Sequence, residues 1–157
     1  MTDLGLLYKK YAADVFRFAL YLSGDRAEAE DITSETFVRA WTAPAPVEMA
    51  TVKGYLFTIA RRLFLMNLRR TSRRAELVDE HLSFAPDPHQ RAEDKEAFRA
   101  VLAALQRLPE VDRAALLMRA WEELPYEEIG RALGISLASA KVKVHRARLL
   151  LAGVRSK

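Results

Sequence analysis

The stretch at residues 129–148, IGRALGISLASAKVKVHRAR, has the pattern of two helices joined by a sharp corner. Gly134 suits the left-handed conformation that such a corner often requires. Ser136 is a good N-cap for the second helix. The apolar residues that can pack the two helices together are Ile129, Leu133, Ile135, Ala140 and Val144. The second helix becomes basic along its length, so it suits either a solvated surface or a groove of DNA.

Basic residues are concentrated in two separate segments of the chain. The formal net charge is only +4. Residues 50–75 and residues 129–157 nevertheless hold seven Lys or Arg each and no acid. Two such segments favour two contacts with a polyanion such as a nucleic acid, although two solvated helix faces would have the same composition.

The composition makes several functional classes poor fits. The 157 residues include no cysteine, which excludes a disulfide framework and thiolate metal sites. No signal peptide or run of about 20 apolar residues is found, so we expect a soluble, cytoplasmic protein without membrane insertion. The three histidines are not at metal-ligand spacing, and there is no phosphate-binding glycine loop. We therefore expect no enzyme activity, cofactor or metal. The acid pair Glu127 and Glu128 is interpreted as ordinary helix surface.

The apolar residues recur with a helical period throughout, which predicts an all-α fold. We expect two small helical domains joined by a flexible linker, with boundaries at 1–72, 73–95 and 96–157. Apolar stripes that begin at Tyr8 and Val52 mark two of the N-terminal helices, and Asp25 is expected to cap the helix between them. Pro109 and Pro125 are expected to open two of about four C-terminal helices.

Three segments together carry a resemblance to a known family. Residues 124–148, LPYEEIGRALGISLASAKVKVHRAR, resemble the C-terminal DNA-binding region of bacterial sigma factors of the extracytoplasmic-function (ECF) group. Residues 24–41, GDRAEAEDITSETFVRAW, are similar to the segment with which these sigma factors bind the RNA polymerase core. Residues 52–70, VKGYLFTIARRLFLMNLRR, are similar to the segment that meets the melted promoter. The matches follow the family's order and cover most of the chain.

The resemblance implies a polymerase-binding surface on the second helix. The residues carried over to contact the β′ and β subunits of the core are Glu30, Asp31, Ser34 and Glu35. Asp31 and Glu35 are four residues apart and so share a helix face. Ser34 stands where the family often has glutamine. Phe37 and Trp41 are expected to pack in the core.

The third helix is implied to bind the −10 element as single-stranded DNA, which requires cations for the backbone and an aromatic face for unstacked bases. The residues carried over are Lys53, Arg61, Arg62, Asn67, Arg69 and Arg70. Tyr55 and Phe57 are candidates for stacking, and Tyr55 is the one expected to be buried. Arg62 and Met66 depart from the residues usual in the family, so the −10 sequence preference is not carried over.

The last helix is implied to enter the major groove at the −35 element. The residues at its exposed positions are Ser139, Lys141, Lys143, His145, Arg146 and Arg148. Ala138 and Val142 stand where the family often has small polar residues or glycine, and they could meet thymine methyl groups.

The resemblance therefore implies a sigma factor that directs polymerase to promoters and is itself controlled by an anti-sigma factor. Two other functions are compatible with parts of the sequence. An autonomous helix-turn-helix regulator would need only the C-terminal half, and it would usually dimerise to bind two half-sites. An all-helical adaptor that binds only protein would not need two acid-free basic segments.

Overall fold

The computed structural model describes residues 4–42, 51–74 and 92–155, and within these ranges it consists of seven helices without a strand. The predicted all-α fold is confirmed. The helices are α1 (Leu4–Ser23), α2 (Arg26–Thr42), α3 (Val52–Arg74), α4 (Ala92–Arg107), α5 (Glu110–Ala120), α6 (Tyr126–Leu133) and α7 (Leu137–Arg155). None of the described helices is long and apolar enough to span a bilayer. Most of the predicted linker, residues 75–91, lies outside the described residues.

Helices α1, α2 and α3 form the N-terminal half, which we define as residues 4–74. Their shared core contains the rings of Phe18 and Phe57, which stack with centroids 4.8 Å apart. Asp25 caps α2 as predicted, because its Oδ1 accepts hydrogen bonds from the backbone N–H groups of Ala27 and Glu28.

The predicted apolar stripes are wrong at three positions. Tyr8 and Val52 are 48% and 44% exposed, because both lie near the N-terminal ends of their helices. The Tyr8 ring still meets the buried Phe37 ring edge-on, with centroids 5.0 Å apart. Trp41 was expected to pack in the core and is 64% exposed. At about 100° per residue it lies nearly half a turn around α2 from the buried Ile32 and Thr36, so it faces solvent.

Helices α4 to α7 form the C-terminal half, residues 92–155, and α6 and α7 are the predicted helix-turn-helix. Pro109 and Pro125 are the N-cap residues of α5 and α6, as expected. Gly134 has φ of 69°, the left-handed conformation predicted for the corner. The Ser136 hydroxyl accepts a hydrogen bond from the backbone N–H of Ser139 at 3.0 Å, which confirms it as the cap of α7.

The two halves pack directly against each other. Buried apolar residues of α1, α3, α5 and α6 belong to one continuous cluster. At its edge the rings of Tyr21 and Trp121 lie 4.4 Å apart, so an α1 side chain contacts the end of α5. We call this packed arrangement the closed chain. The two-domain organisation is therefore accompanied by an extensive interface, which the sequence did not indicate.

Gly130 in α6 is a residue that the sequence analysis missed. A Cβ built at this position would lie 2.8 Å from the backbone carbonyl oxygen of Ile135, which follows the corner. The backbone N–H of Ile135 donates to the Gly130 carbonyl at 2.9 Å. Glycine therefore permits the turn to close tightly onto α6.

Replacing Gly130 with alanine should destabilise the protein by about 1–3 kcal/mol, because backbone atoms must shift to accommodate the methyl group. Gly153 in α7 is the matched control, since a Cβ there meets nothing within 4 Å. Gly153→Ala should instead stabilise by up to about 1 kcal/mol through helix propensity. Urea unfolding of both variants measures the difference, and equal stability of the two would contradict the tight-turn explanation.

Candidate nucleic-acid interface

Helix α7 offers a long outward surface because only one face is packed. Ala140, Val144 and Ala147 are fully buried against the C-terminal half. The six residues predicted to contact −35 DNA lie around the rest of the helix. They divide into a flank that faces α5 and a flank that faces α6.

On the α5 flank, a buried carboxylate holds two of the predicted DNA contacts. The side chain of Asp112 is 1% exposed. Its Oδ2 accepts from Arg146 Nε at 2.7 Å, and Nη2 of the same guanidinium lies 2.6 Å from this oxygen. Lys143 Nζ lies 3.7 Å from Oδ1 of the same carboxylate. Asp112 is in the first turn of α5, where the helix dipole also favours a negative charge. Arg146 is thus fixed in orientation, while about half of its side chain remains exposed.

On the other flank, the cations have no carboxylate partner among the described residues. Lys141 Nζ lies 5.9 Å from the centre of the Tyr126 ring, and the Arg119 guanidinium lies 4.5 Å from the same ring. His145 and Arg148 are exposed and form no ion pair within the described part of the chain. Val142 is 59% exposed on the outward face. These side chains are available to a ligand without breaking an internal ion pair.

The predicted −10 surface on α3 is split by the closed chain. Arg61 donates from Nε and Nη2 to the two carboxylate oxygens of Glu110 in α5, at 2.8 and 2.7 Å. Lys53 Nζ lies 3.6 Å from both Asp14 and Glu122. These two predicted DNA contacts are therefore engaged in ion pairs that involve the C-terminal half.

The other predicted −10 residues face away from the interface. Arg70 donates to the side-chain oxygen of Asn67 at 3.0 Å. Arg62 and Arg69 are exposed and have no ion pair among the residues that the structure describes. The outer part of α3 therefore keeps an accessible positive charge even when the chain is closed.

Phe57 does not offer a stacking face for a base. It is fully buried, with its ring against Phe18, so the expectation that it could stack is wrong. Tyr55 was expected to be the buried residue of the two and is half-buried. The two aromatic residues are two positions apart, which on a helix places them on different faces.

The predicted polymerase surface on α2 is exposed as a whole. Its residues are Glu30, Asp31, Ser34 and Glu35. Glu30 and Glu35 form exposed ion pairs with Arg26 and Arg39, one turn away. Such exposed ion pairs contribute little to stability and can be exchanged for pairs with a partner protein. A groove of about 370 Å³ between α1 and α2 lies beside this surface and is lined in part by Tyr8, Phe16, Glu30 and Ser34.

Four acids of the C-terminal half were not identified as important by the sequence analysis. They are Glu110, Asp112, Glu122 and Glu128. Glu128 was interpreted as surface, yet it is only 2% exposed and binds the N-terminus of α3. Its Oε1 accepts from the backbone N–H and the hydroxyl of Thr51 at 2.7 and 2.8 Å. The two residues are far apart in the chain, so local sequence carried no signal for the contact.

Glu122 is a second enclosed charge at the interface. Its side chain is 1% exposed, and Oε2 accepts from Arg17 Nε and Nη2 at 3.2 and 2.9 Å. Burial raises the pKa of the Glu122 carboxyl above its ordinary value, although hydrogen bonding and charge from Arg17 and the charge of Lys53 act in the opposite direction. The next residue, Glu123, has φ of 56°, an uncommon conformation for a residue with a side chain.

The raised pKa of Glu122 predicts a pH dependence of stability with a defined sign. Because the folded protein holds this proton more tightly than the unfolded chain, the contribution of Glu122 to folding is largest below the ordinary glutamate pKa. It is lost as pH rises through the folded pKa. Glu122→Gln, which mimics the protonated form, should therefore gain stability relative to the natural protein as pH rises from the ordinary glutamate range to neutrality.

Thermal unfolding of the natural protein and Glu122→Gln at several pH values measures this difference. Other carboxyls titrate in both proteins and cancel in the comparison. A difference in melting temperature that stays constant, or shrinks as pH rises, would contradict the assignment of a raised pKa to Glu122.

Comparisons with known proteins cover both halves. The family described as sigma-70 region 2 matches residues 7–74, and the family described as sigma-70, region 4 matches residues 98–151. The ECF RNA polymerase sigma factor SigE of Mycolicibacterium smegmatis is 37% identical over 147 residues, which are 90% of this chain and 57% of that protein. The ECF RNA polymerase sigma factor SigM of Bacillus subtilis is 31% identical over 90% of this chain and 88% of its own length.

Solved structures share the arrangement of the helices. The sigma factor RpoE of Bartonella quintana, crystallised with the anti-sigma factor NepR, superposes with a TM-score of 0.82 at 24% identity and covers 99% of this chain and 98% of its own. CnrH, solved with the cytosolic domain of CnrY, has a TM-score of 0.69 at 21% identity over 98% of this chain and 87% of its own. At these identities the likeness concerns the fold.

Proposed function

Because the chain belongs to the extracytoplasmic-function sigma factors of RNA polymerase, we propose that it binds the polymerase core and directs transcription initiation at a restricted set of promoters. The chain spans 57% of the length of the mycobacterial relative, and what the whole protein binds is part of this proposal. The observation that carries it is the pair of basic surfaces on α3 and α7, which lie in the two segments matched by the family.

We propose a division of labour among three helices. The exposed acids of α2 would bind basic surfaces of the β′ and β subunits, since they are free of strong internal partners. The cations of α3 would hold single-stranded −10 DNA along its backbone. Helix α7 would lie in the major groove of the −35 duplex, with Asp112 holding Arg146 in a fixed orientation toward it.

The outward face of α7 supports two kinds of contact with DNA. Lys141 and Arg148 can approach phosphates, which supplies affinity and salt dependence but no sequence information. Val142 and the adjacent Ala138 are exposed and apolar, which suits the methyl group of thymine in the major groove. The promoter preference would therefore combine the cation oriented by Asp112 on the α5 flank with apolar contacts on the outward face of α7.

An anti-sigma factor is the further partner that we propose, and the cytoplasm, where polymerase transcribes the chromosome, is the compartment. The structural relative from Bartonella quintana was crystallised with an anti-sigma factor. An autonomous regulator is not favoured, because such a protein has no need of the segment at residues 7–74 that matches sigma-70 region 2.

Replacing both Asp31 and Glu35 with lysine should reduce retention of core polymerase by at least about tenfold, because like charges would then face the basic partner. Binding to −35 duplex should not change. Glu96→Lys combined with Glu127→Lys is the control, since it alters the same number of exposed acids on other helices. Equal loss of core binding in both double variants would contradict a specific role for α2.

Replacing Arg148 with alanine should weaken binding to promoter duplex and lower the slope of log affinity against log salt by about one. Lys9→Ala removes one exposed positive charge from α1 and should leave the slope unchanged. Fluorescence anisotropy with a duplex that carries the −35 element, measured over a salt series, provides both values. Identical slopes for the two variants would remove Arg148 from the proposed contacts.

The proposed function is tested by a pull-down of bacterial core RNA polymerase followed by transcription from a library of promoter fragments. Retention of core and transcripts from a restricted set would support it. Binding of specific duplexes without retention of core would instead indicate an autonomous regulator.

A further inference from the structure

We propose that the C-terminal half is an internal competitor for −10 DNA, because in the closed chain its acids occupy the cations that α3 would offer to the DNA backbone. The inference concerns regulation and rests on the proposed function in one respect, namely that α3 is the −10 surface. It does not require an inhibitor protein, since the competing groups belong to the same chain.

The pair of Arg61 and Glu110 shows the competition most directly. Two nitrogens of the guanidinium meet the two oxygens of the carboxylate at 2.7–2.8 Å. This fork-shaped arrangement is the one with which arginine also binds a phosphate. The side chains are 13% and 17% exposed, so the donors are largely withdrawn from solvent. A DNA phosphate cannot use these donors until Glu110 leaves.

A second cation of α3 is occupied at the other end of the interface. Lys53 Nζ lies 3.6 Å from the Oε1 atom of Glu122, which is otherwise without a hydrogen-bond partner in the described residues. The adjoining Arg17 of α1 binds the other oxygen of the same carboxylate. The buried acid therefore draws positive charge from two helices of the N-terminal half.

Hydrogen bonds outside the ion pairs also join the two halves of the closed chain. Gln106 of α4 donates from Nε2 to the backbone carbonyl of Tyr21 in the last turn of α1, at 2.9 Å. Gly24 leaves room for this side chain, since a Cβ there would lie 2.9 Å from Gln106 Cδ. Glu128 accepts from the backbone N–H and the hydroxyl of Thr51, immediately before α3. Each half thus completes hydrogen bonds that the other half leaves open.

Opening of the interface becomes a condition for full binding of −10 DNA. If the open form is a minor population, the apparent affinity of α3 for single strands is reduced by the open fraction. Arg62 and Arg69 remain exposed in the closed chain, so weak binding persists. Simultaneous contact of α3 and α7 with one promoter would draw the equilibrium toward the open form.

The test compares Glu110→Lys with Glu127→Lys in the full chain. Both acids lie in the first turn of a helix that follows a proline cap, so the two variants change charge and helix position equally. Only Glu110 faces Arg61. The probe is a fluorescein-labelled single-stranded oligonucleotide of mixed sequence at about 0.15 M salt, a concentration at which long-range charge effects are screened. Glu110→Lys should bind it about five- to tenfold more tightly than Glu127→Lys.

Opening is measured independently in a Trp41→Phe background, which leaves Trp121 at the interface as the remaining tryptophan. Its emission should shift to the red when Glu110→Lys separates it from Tyr21. Arg61→Glu should cause the same shift, and Arg61→Glu combined with Glu110→Arg should restore the natural emission. Where Glu110→Lys lowers helix content by circular dichroism, Glu110→Gln and Glu127→Gln replace the pair.

Two results would overturn the proposal. One is an open chain, by tryptophan emission, that binds the oligonucleotide no more tightly than the control. The other is a Glu110 variant that stays closed and binds like the natural protein. Retention of core polymerase, measured in parallel, separates this inference from the proposed function. Failure of the function leaves core unbound by every variant, whereas failure of the inference leaves core bound and the oligonucleotide affinities equal.

Discussion

Burying a carboxylate is costly unless cations or hydrogen-bond donors surround it, and this constraint organises the molecule. Asp112, Glu122 and Glu128 of the C-terminal half are almost fully buried. The partners of Asp112 come from α7, whereas those of Glu122 and Glu128 come from the N-terminal half. The first carboxylate fixes α7, and the other two fix the relation of the halves. Removing one partner would leave a buried carboxylate with less compensation than the fold provides.

The two basic surfaces consequently differ in how accessible their cations are in the closed chain. On α7 the internal acid orients Arg146 without covering the outward ridge, so binding to duplex is compatible with the closed chain. On α3 the acids cover Arg61 and Lys53, so under the proposed function a single strand would compete with the protein itself for these two side chains. Affinity for the −35 region would thus be present from the start, while full affinity for the −10 region would develop only as the halves separate.

Local sequence patterns were sufficient for much of the fold. The caps at Asp25, Pro109, Pro125 and Ser136 and the left-handed corner at Gly134 depend on neighbouring residues alone, and the structure has them as predicted. Apolar periodicity placed the helices but misjudged Trp41 and Phe57, since it cannot fix the centre of a buried face. The interface between the halves could not be predicted from the sequence. Its contacts join residues far apart in the chain, such as Arg17 and Glu122, whose pairing depends on the fold. The site residues on exposed helix faces were identified through their resemblance to a family, and geometry then separated the engaged cations from the accessible ones.

Glu128 lies within the recognition motif by sequence but serves a helix of the other half. Its carboxylate accepts from the backbone N–H and the hydroxyl of Thr51, the residue just before α3, and the packing of α6 encloses it there. Substitutions on the outward ridge of α7 would be tolerated individually and could shift promoter preference gradually during evolution. Substitutions at Glu128 would disturb the start of α3 and the packing of α6 together. The helix-turn-helix therefore contains exposed positions on α7 that can vary independently. It also contains Glu128, whose replacement would require a compensating change in the N-terminal half.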